Sequence, residues 1–231
     1  MIASAVVIAL TARTHTPPFR HPDGRLVEGS IAEERRVTLG GWDQYVLIRG
    51  RDRTAPILLY LHGGPGTSEM PVLRVYNAAL EEDFVFVNWD QRGTGKSYSA
   101  NLDPATLTLD RMTRDLDELV DLLRAEFGQD RIMLVCHSWG TQLGLEYVAR
   151  HPEKVAAYVG VGQISDATQS DALGYAWALA EATARDDDEA VGTLEGIGPP
   201  PYSITNVKRQ RRYIWRLGRT SSRLFAAVPC L

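Results

Sequence analysis

Between residues 57 and 161 the apolar positions follow two kinds of spacing. Short apolar runs stand at 57–61 (Ile-Leu-Leu-Tyr-Leu), 84–89 (Phe-Val-Phe-Val-Asn-Trp), 131–135 and 155–161. Their length and β-branched content predict strands buried on both faces. Between them, apolar residues recur at helical intervals. Leu109, Met112, Leu116, Leu119 and Leu123 stand three or four apart, which predicts an amphipathic helix over 108–127. Thr108 suits its N-cap, Asp110 the first turn and Gly128 its end. Shorter helices are predicted around 72–80 and 141–150. The order strand, helix, strand, helix, strand, helix, strand predicts a doubly wound, mostly parallel α/β sheet, with the site on loops at the strand C-termini.

Ahead of this core, residues 34–39 and 42–49 read as two strands joined by Gly40-Gly41, a hairpin signal. After Gln163 the strand pattern stops. Residues 169–185 place Leu173, Trp177 and Ala180 on one helical face, 186–194 and 208–217 predict two further helices, and 196–201 break the chain between them. Consecutive helices predict a helical lid over the sheet. The expected organisation is an apolar segment and linker at 1–30, an α/β core at 31–163, a lid at 164–217 and an irregular tail at 218–231.

Bulk composition narrows the class. With 231 residues, 44% hydrophobic and 23% charged, the chain suits one soluble domain with a sizeable core and a lid. A net charge of −4 argues against a nucleic-acid partner. The two cysteines, Cys136 and Cys230, imply no disulfide framework, and no Cys/His cluster has zinc-ligand spacing, so neither metal nor cofactor is expected. Residues 1–10 are apolar or small but reach only half the ~20 residues of a membrane-spanning helix. They read as a frayed end, a remnant of a membrane anchor or a signal segment. The expected location is cytoplasmic, or membrane-associated through this segment. Residues 11–30, polar and carrying Pro17, Pro18 and Pro22, read as a linker.

Candidate chemistry centres on Cys136-His137-Ser138-Trp139-Gly140. A strand before it, small residues around a serine and a helix after it are the context of a nucleophile elbow, in which a strained turn lifts the serine hydroxyl above the sheet. The helix N-terminus behind it offers free N–H groups and a partial positive charge. Cys136 lies at the strand end, not at the apex, which argues against it as the nucleophile. His62-Gly63-Gly64-Pro65-Gly66 closes the strand at 57–61 and permits close backbone approach. Asp90-Gln91-Arg92-Gly93-Thr94-Gly95-Lys96-Ser97 follows the next strand. Its Gly-Lys-Ser ending suggests a phosphate loop, but that motif needs a glycine where Asp90 stands.

Taken together, these three motifs resemble the proline iminopeptidase-like branch of the α/β-hydrolase superfamily, over roughly 36–163 and more loosely through the lid. The resemblance implies a serine hydrolase acting by acyl transfer on a small peptide, amide or ester, often removing an N-terminal residue. It makes Ser138 the nucleophile and the backbone N–H of Trp139 one oxyanion donor, with Gly64 or Gly63 the second. Asp90 and Arg92 match the family loop and are read as structural. The resemblance also implies an acid and then a histidine on loops after two further strands. Here no Asp or Glu follows Glu195 and no histidine follows His151.

The histidines present do not fill the role. His137 neighbours Ser138, and adjacent side chains on an elbow are expected to point apart. His62 is read as structural, His151 as an exposed helix end, and His15 and His21 as linker residues. The expectation is therefore a C-terminally shortened hydrolase of low activity whose 155–161 strand becomes an open edge. A non-catalytic binding module is the alternative, favoured by residues 202–231, which carry seven Lys or Arg and no acid. The acidic residues Glu181, Asp186, Asp187, Asp188 and Glu189 are read as a solvated helix face. They are not read as an amine-recognition site.

Overall fold

The computed structural model describes residues 16–201 and 204–218. The readings of residues 1–10 and of the tail beyond 218 lie outside them. The chain divides into two compact units, residues 1–163 and 164–231.

The first unit is a six-stranded sheet. Its strands are β1 (Ile31–Leu39), β2 (Trp42–Gly50), β3 (Ile57–Leu61), β4 (Val85–Asp90), β5 (Ile132–His137) and β6 (Val155–Val161), in the order β1-β2-β4-β3-β5-β6. The hairpin pair and its join to β4 are antiparallel. From β4 through β3 and β5 to β6 all pairing is parallel. The helices of this unit are α1 (Met70–Tyr76), α2 (Leu109–Phe127) and α3 (Trp139–Arg150), which connect and cover the parallel strands.

Strand periodicity separates two apolar layers. Ile57, Leu59 and Leu61 alternate with Leu58 and Tyr60 along β3, and the two sets face opposite ways. The first set packs with Ile132, Leu134 and Cys136 of β5 against Leu116, Leu119 and Leu123 of α2 and Leu143 and Tyr147 of α3. The second set packs with Phe86, Met133, Val135 and Leu73 of α1. The long amphipathic helix forms as its sequence predicts: the Thr108 hydroxyl accepts from the Arg111 N–H at 3.1 Å, and Gly128 ends it with φ 63°.

Three expectations change. First, the helix around 72–80 is α1 followed by a separate 3-10 turn at Ala78–Glu82, because Asn77 closes α1 by donating its N–H to Leu73 O. Second, part of the stretch read as a linker is packed. Arg49 donates to Pro17 O at 2.7 Å and stacks on Phe19 at 4.5 Å, while its other edge pairs with buried Glu81. Third, β6 is not buried on both faces. Val159 and Val161 are 52% and 50% exposed, and, as expected of an open edge, β6 pairs with β5 alone among the described strands.

The second unit is helical: α4 (Ala167–Ala184), α5 (Asp188–Ile197) and α6 (Ile204–Gly218). Small residues let these helices approach, with Ala178, Ala182 and Ala190 buried beside Leu194, Tyr213 and Leu217. Its acids have local partners: Glu181 pairs with Arg185, while Asp187 caps α5 and pairs with Arg216. Among the described residues no helix is long and apolar enough to cross a membrane.

Candidate active site

Strand order reverses between β3 and β5, so the crevice above their C-terminal ends is a topological switch point of the kind where open α/β sheets bind ligands. Both the glycine loop and the serine turn emerge there. Ser138 stands between β5 and α3 with φ 49° and ψ −116°. Such a conformation is hard for a residue with a Cβ and is held only where the surroundings enforce it. Enforcement is visible on each side. The Ser138 N–H donates to Val161 O at 2.8 Å, and its carbonyl accepts from the Thr141 N–H at 2.9 Å and hydroxyl at 2.6 Å. A Cβ on Gly140 would lie 2.1 Å from Leu61 O, so only glycine lets α3 start this close to β3.

The glycine loop runs beside this turn. A Cβ on Gly63 would meet His137 Nδ1 at 3.0 Å, Ser138 Cβ at 3.1 Å and Glu69 Oε1 at 3.2 Å. Gly64 has φ 116°, a region open to glycine. Among the described residues, neither the Gly64 nor the Trp139 backbone N–H donates a hydrogen bond. Trp139 is the first residue of α3, whose opening N–H groups have no partner within the helix. The structure thus brings Gly63 against Ser138, with Gly64 and Trp139 their neighbours in the chain.

Cys136 is fully buried, and burial pushes its thiol up to about 12. A thiol held protonated is a poor nucleophile, so this group is chemically inert at neutral pH. His62 is buried with both ring nitrogens engaged. Nδ1 donates to Gly63 O at 2.9 Å and Nε2 accepts from the Gln91 N–H at 3.2 Å. That pairing sets the tautomer, and burial lowers the His62 pKa, so the ring stays neutral. His151 caps the far end of α3, thirteen residues along and roughly 20 Å from Ser138 at 1.5 Å per residue. Its ring is half-buried against Tyr147, at 5.0 Å between centroids.

The loop after β4 is a brace. Asp90 accepts from the Ser68 hydroxyl and from the Lys96 N–H at 2.8 Å, and a Cβ on Gly95 would fall 2.2 Å from its carboxylate. A carboxylate therefore fills the turn that a phosphate loop would leave for its ligand. Arg92 forms a buried two-pronged pair with Asp115, at 2.7 and 2.9 Å, and also donates to Leu39 O. Both residues play the structural part expected of them.

Two residues escaped the sequence reading. Gln91 ties the crevice together: its Nε2 donates to His62 O at 3.1 Å and its Oε1 accepts from Trp139 Nε1 at 3.3 Å. Its place inside the Asp90–Ser97 motif was the available signal. Glu69 accepts from Tyr60 at 2.7 Å and lies 2.6 Å from His137 Nδ1. It carried no motif signal. His137 therefore does not simply point away from Ser138, since both border Gly63.

A family profile described as the alpha/beta hydrolase fold matches residues 56–191. The chain is 34% identical over 146 residues to the probable aminopeptidase YbaC of Bacillus subtilis, a match covering 63% of this chain and 46% of that protein. It is 34% identical over 103 residues to the proline iminopeptidase of Neisseria gonorrhoeae, covering 44% and 31%. Among solved structures, a proline iminopeptidase-related protein from Thermus thermophilus matches 79% of this chain and 57% of its own, with a TM-score of 0.58 and 26% identity. The match spans less than half the length of both curated relatives. A profile covering more than half of the chain, on a sheet whose order places the serine turn and the glycine loop at its switch point, makes this chain a member of the alpha/beta hydrolase fold family.

Proposed function

We propose that this chain carries the nucleophile and oxyanion machinery of a serine hydrolase that works by acyl transfer. The observation that carries the reading is the strained Ser138, at φ 49° and ψ −116°, packed against Gly63 and followed by the Trp139 N–H, which has no partner among the described residues. In this reading the Ser138 oxygen bonds to a carbonyl carbon, the C–N or C–O bond to the leaving group breaks, and the amine or alcohol departs with the serine's proton, leaving an acyl-enzyme. The Trp139 and Gly64 N–H groups, with Gly63 shaping the approach, stabilise the charge that builds on the carbonyl oxygen. Loss of one such donor costs ~10²–10³ in rate.

The substrate class follows the relatives' names: cleavage of an N-terminal residue from a short peptide, with ester or amide hydrolysis as the neighbouring possibility. A base for Ser138 is not assigned. Among the described residues His62 is engaged at both nitrogens, His151 caps the opposite end of α3, and His137 is tied to Glu69. With no base assigned, slow acylation and little or no turnover are the expected behaviour of the 231-residue chain.

The test is labelling with a fluorophosphonate probe, followed by mapping of the modified residue. Stoichiometric modification at Ser138, abolished in Ser138→Ala, supports the reading. An unlabelled wild-type chain, or label that persists in Ser138→Ala, refutes it. Rapid multiple turnover by the purified chain would instead show that it holds a base of its own.

A further inference from the structure

Glu69 is the point where three strand-end segments meet. Tyr60, one residue from the end of β3, donates its hydroxyl to Glu69 Oε2 at 2.7 Å. His137, the last residue of β5, places Nδ1 2.6 Å from Glu69 Oε1. Glu69 itself closes the loop that starts at Gly63 and is the residue from which α1 begins. An ionised carboxylate only accepts, so both partners donate and His137 carries its proton on Nδ1.

The Tyr60 end of this chain is permanent. Burial first, and then the Glu69 bond, push the Tyr60 hydroxyl far above the usual tyrosine range, so it stays a donor throughout. Gly63 is wedged among the same groups, within about 3 Å of His137, Ser138 and Glu69 for any added Cβ. The loop's other anchor is Ser68, bonded to Asp90 at the end of β4. Period two along β5 puts His137 on the side of Met133 and Val135, away from α3. The network is thus not part of the main core under α2 and α3, and the serine turn alone does not require it.

We propose that Glu69 is the positioning residue of the glycine loop. By holding Tyr60 and His137 at once, it sets the distance between the Gly63–Gly64 backbone and Ser138. This rests on the reading of Ser138 as a nucleophile with donors in that loop. Misplacement of about 1 Å costs on the order of 10²-fold in reactions that depend on alignment, so loosening the loop should slow acylation ~10–100-fold.

The experiment compares wild type with Glu69→Gln, His137→Ala and His137→Asn. Asparagine can donate from near the Nδ1 position but cannot act as a base. Three quantities are read: the rate of fluorophosphonate modification of Ser138, amide exchange of peptides spanning 61–70, and the melting temperature. Expected is ~10–100-fold slower modification and faster loop exchange in His137→Ala, with both largely restored in His137→Asn and melting little changed. Glu69→Gln should fall between.

Unchanged loop exchange in His137→Ala overturns the proposal. Restored exchange with modification as slow as in the alanine variant also overturns it, because His137 would then act on the chemistry itself. If wild type is not modified at all, the nucleophile reading fails, and loop exchange alone decides the role of Glu69.

Discussion

Replacing Ser138 with glycine should stabilise the protein. The serine holds φ 49° and ψ −116°, and its side chain makes no capping hydrogen bond at the start of α3. Removing it therefore forfeits no bond, while the strain of that conformation is of order 1–3 kcal/mol for a residue with a Cβ. Against this, glycine frees the unfolded chain and costs about 0.5–1 kcal/mol. The difference leaves a gain of about 1 kcal/mol. For a chain of this size that is a rise of about 3 °C in melting temperature. Ser138→Ala keeps the Cβ and the strain, so it should melt close to wild type. The assay is thermal melting of all three proteins by circular dichroism, with urea midpoints at constant slope as a second measure. A glycine variant that melts at or below the alanine variant would refute the argument, since strain at this position would then be absent or relieved elsewhere.

Gly140→Ala drives a Cβ to within 2.1 Å of a backbone oxygen that cannot yield, so it should cost ~1–3 kcal/mol or prevent folding, read by urea denaturation. Arg92→Ala strips Asp115 of its two-pronged partner but leaves Arg111 and Gln44 on the same carboxylate, so it should cost ~1–3 kcal/mol by the same measurement. His62 is held neutral by burial, with its folded pKa below the ordinary value of 6.5. As pH falls below that value the unfolded chain takes up a proton that the folded chain refuses. Stability is therefore lost on acidification until the folded pKa is passed, by at most ~1.4 kcal/mol per pH unit for this group. Urea midpoints of His62→Asn between pH 7.5 and 5 should show a shallower slope than wild type; an equal slope would remove His62 as the cause. Cys136, buried and protonated, should resist iodoacetamide in the folded protein and react only in denaturant, as mass spectrometry would show.

The parallel core was legible because its strands are apolar on both faces and its longest helix carries a clear 3.6-residue period with a cap at each end. Thr108 and Gly128 do what their residue types predict. The edge character of β6 was legible because strand runs stop after Gln163, although Val-Ala-Ala-Tyr-Val-Gly-Val by itself reads as a buried strand; the strand order gives β5 as its one described neighbour. Cys136 stands where the Gly-x-Ser-x-Gly pattern has a glycine, so its side chain has to be accommodated in a tight turn. The remedy lies eight residues on: a Cβ on Gly144 would sit 2.5 Å from Cys136 Sγ, so the helix gives up a side chain to make room for the sulfur. Such compensation depends on which helix face meets which strand face, and a linear pattern does not carry that. Glu69 was illegible for a similar reason. Its partners are nine and sixty-eight residues away, and only the sheet order brings Tyr60 and His137 together.

A strained residue persists only if more contacts hold it than the strain can break, and here the holding contacts come from separate elements. Val161 O from the end of β6 takes the Ser138 N–H, and Thr141 from the first turn of α3 takes its carbonyl. Leu61 and His62 oxygens at the end of β3 press on Gly140, and Gln91 beyond β4 holds the Trp139 ring. Three strand ends and the first turn of α3 therefore fix one turn, and none of them needs a hydroxyl at position 138. The backbone geometry should outlast loss of the side chain. That is why Ser138→Gly is expected to keep the fold while removing the strain.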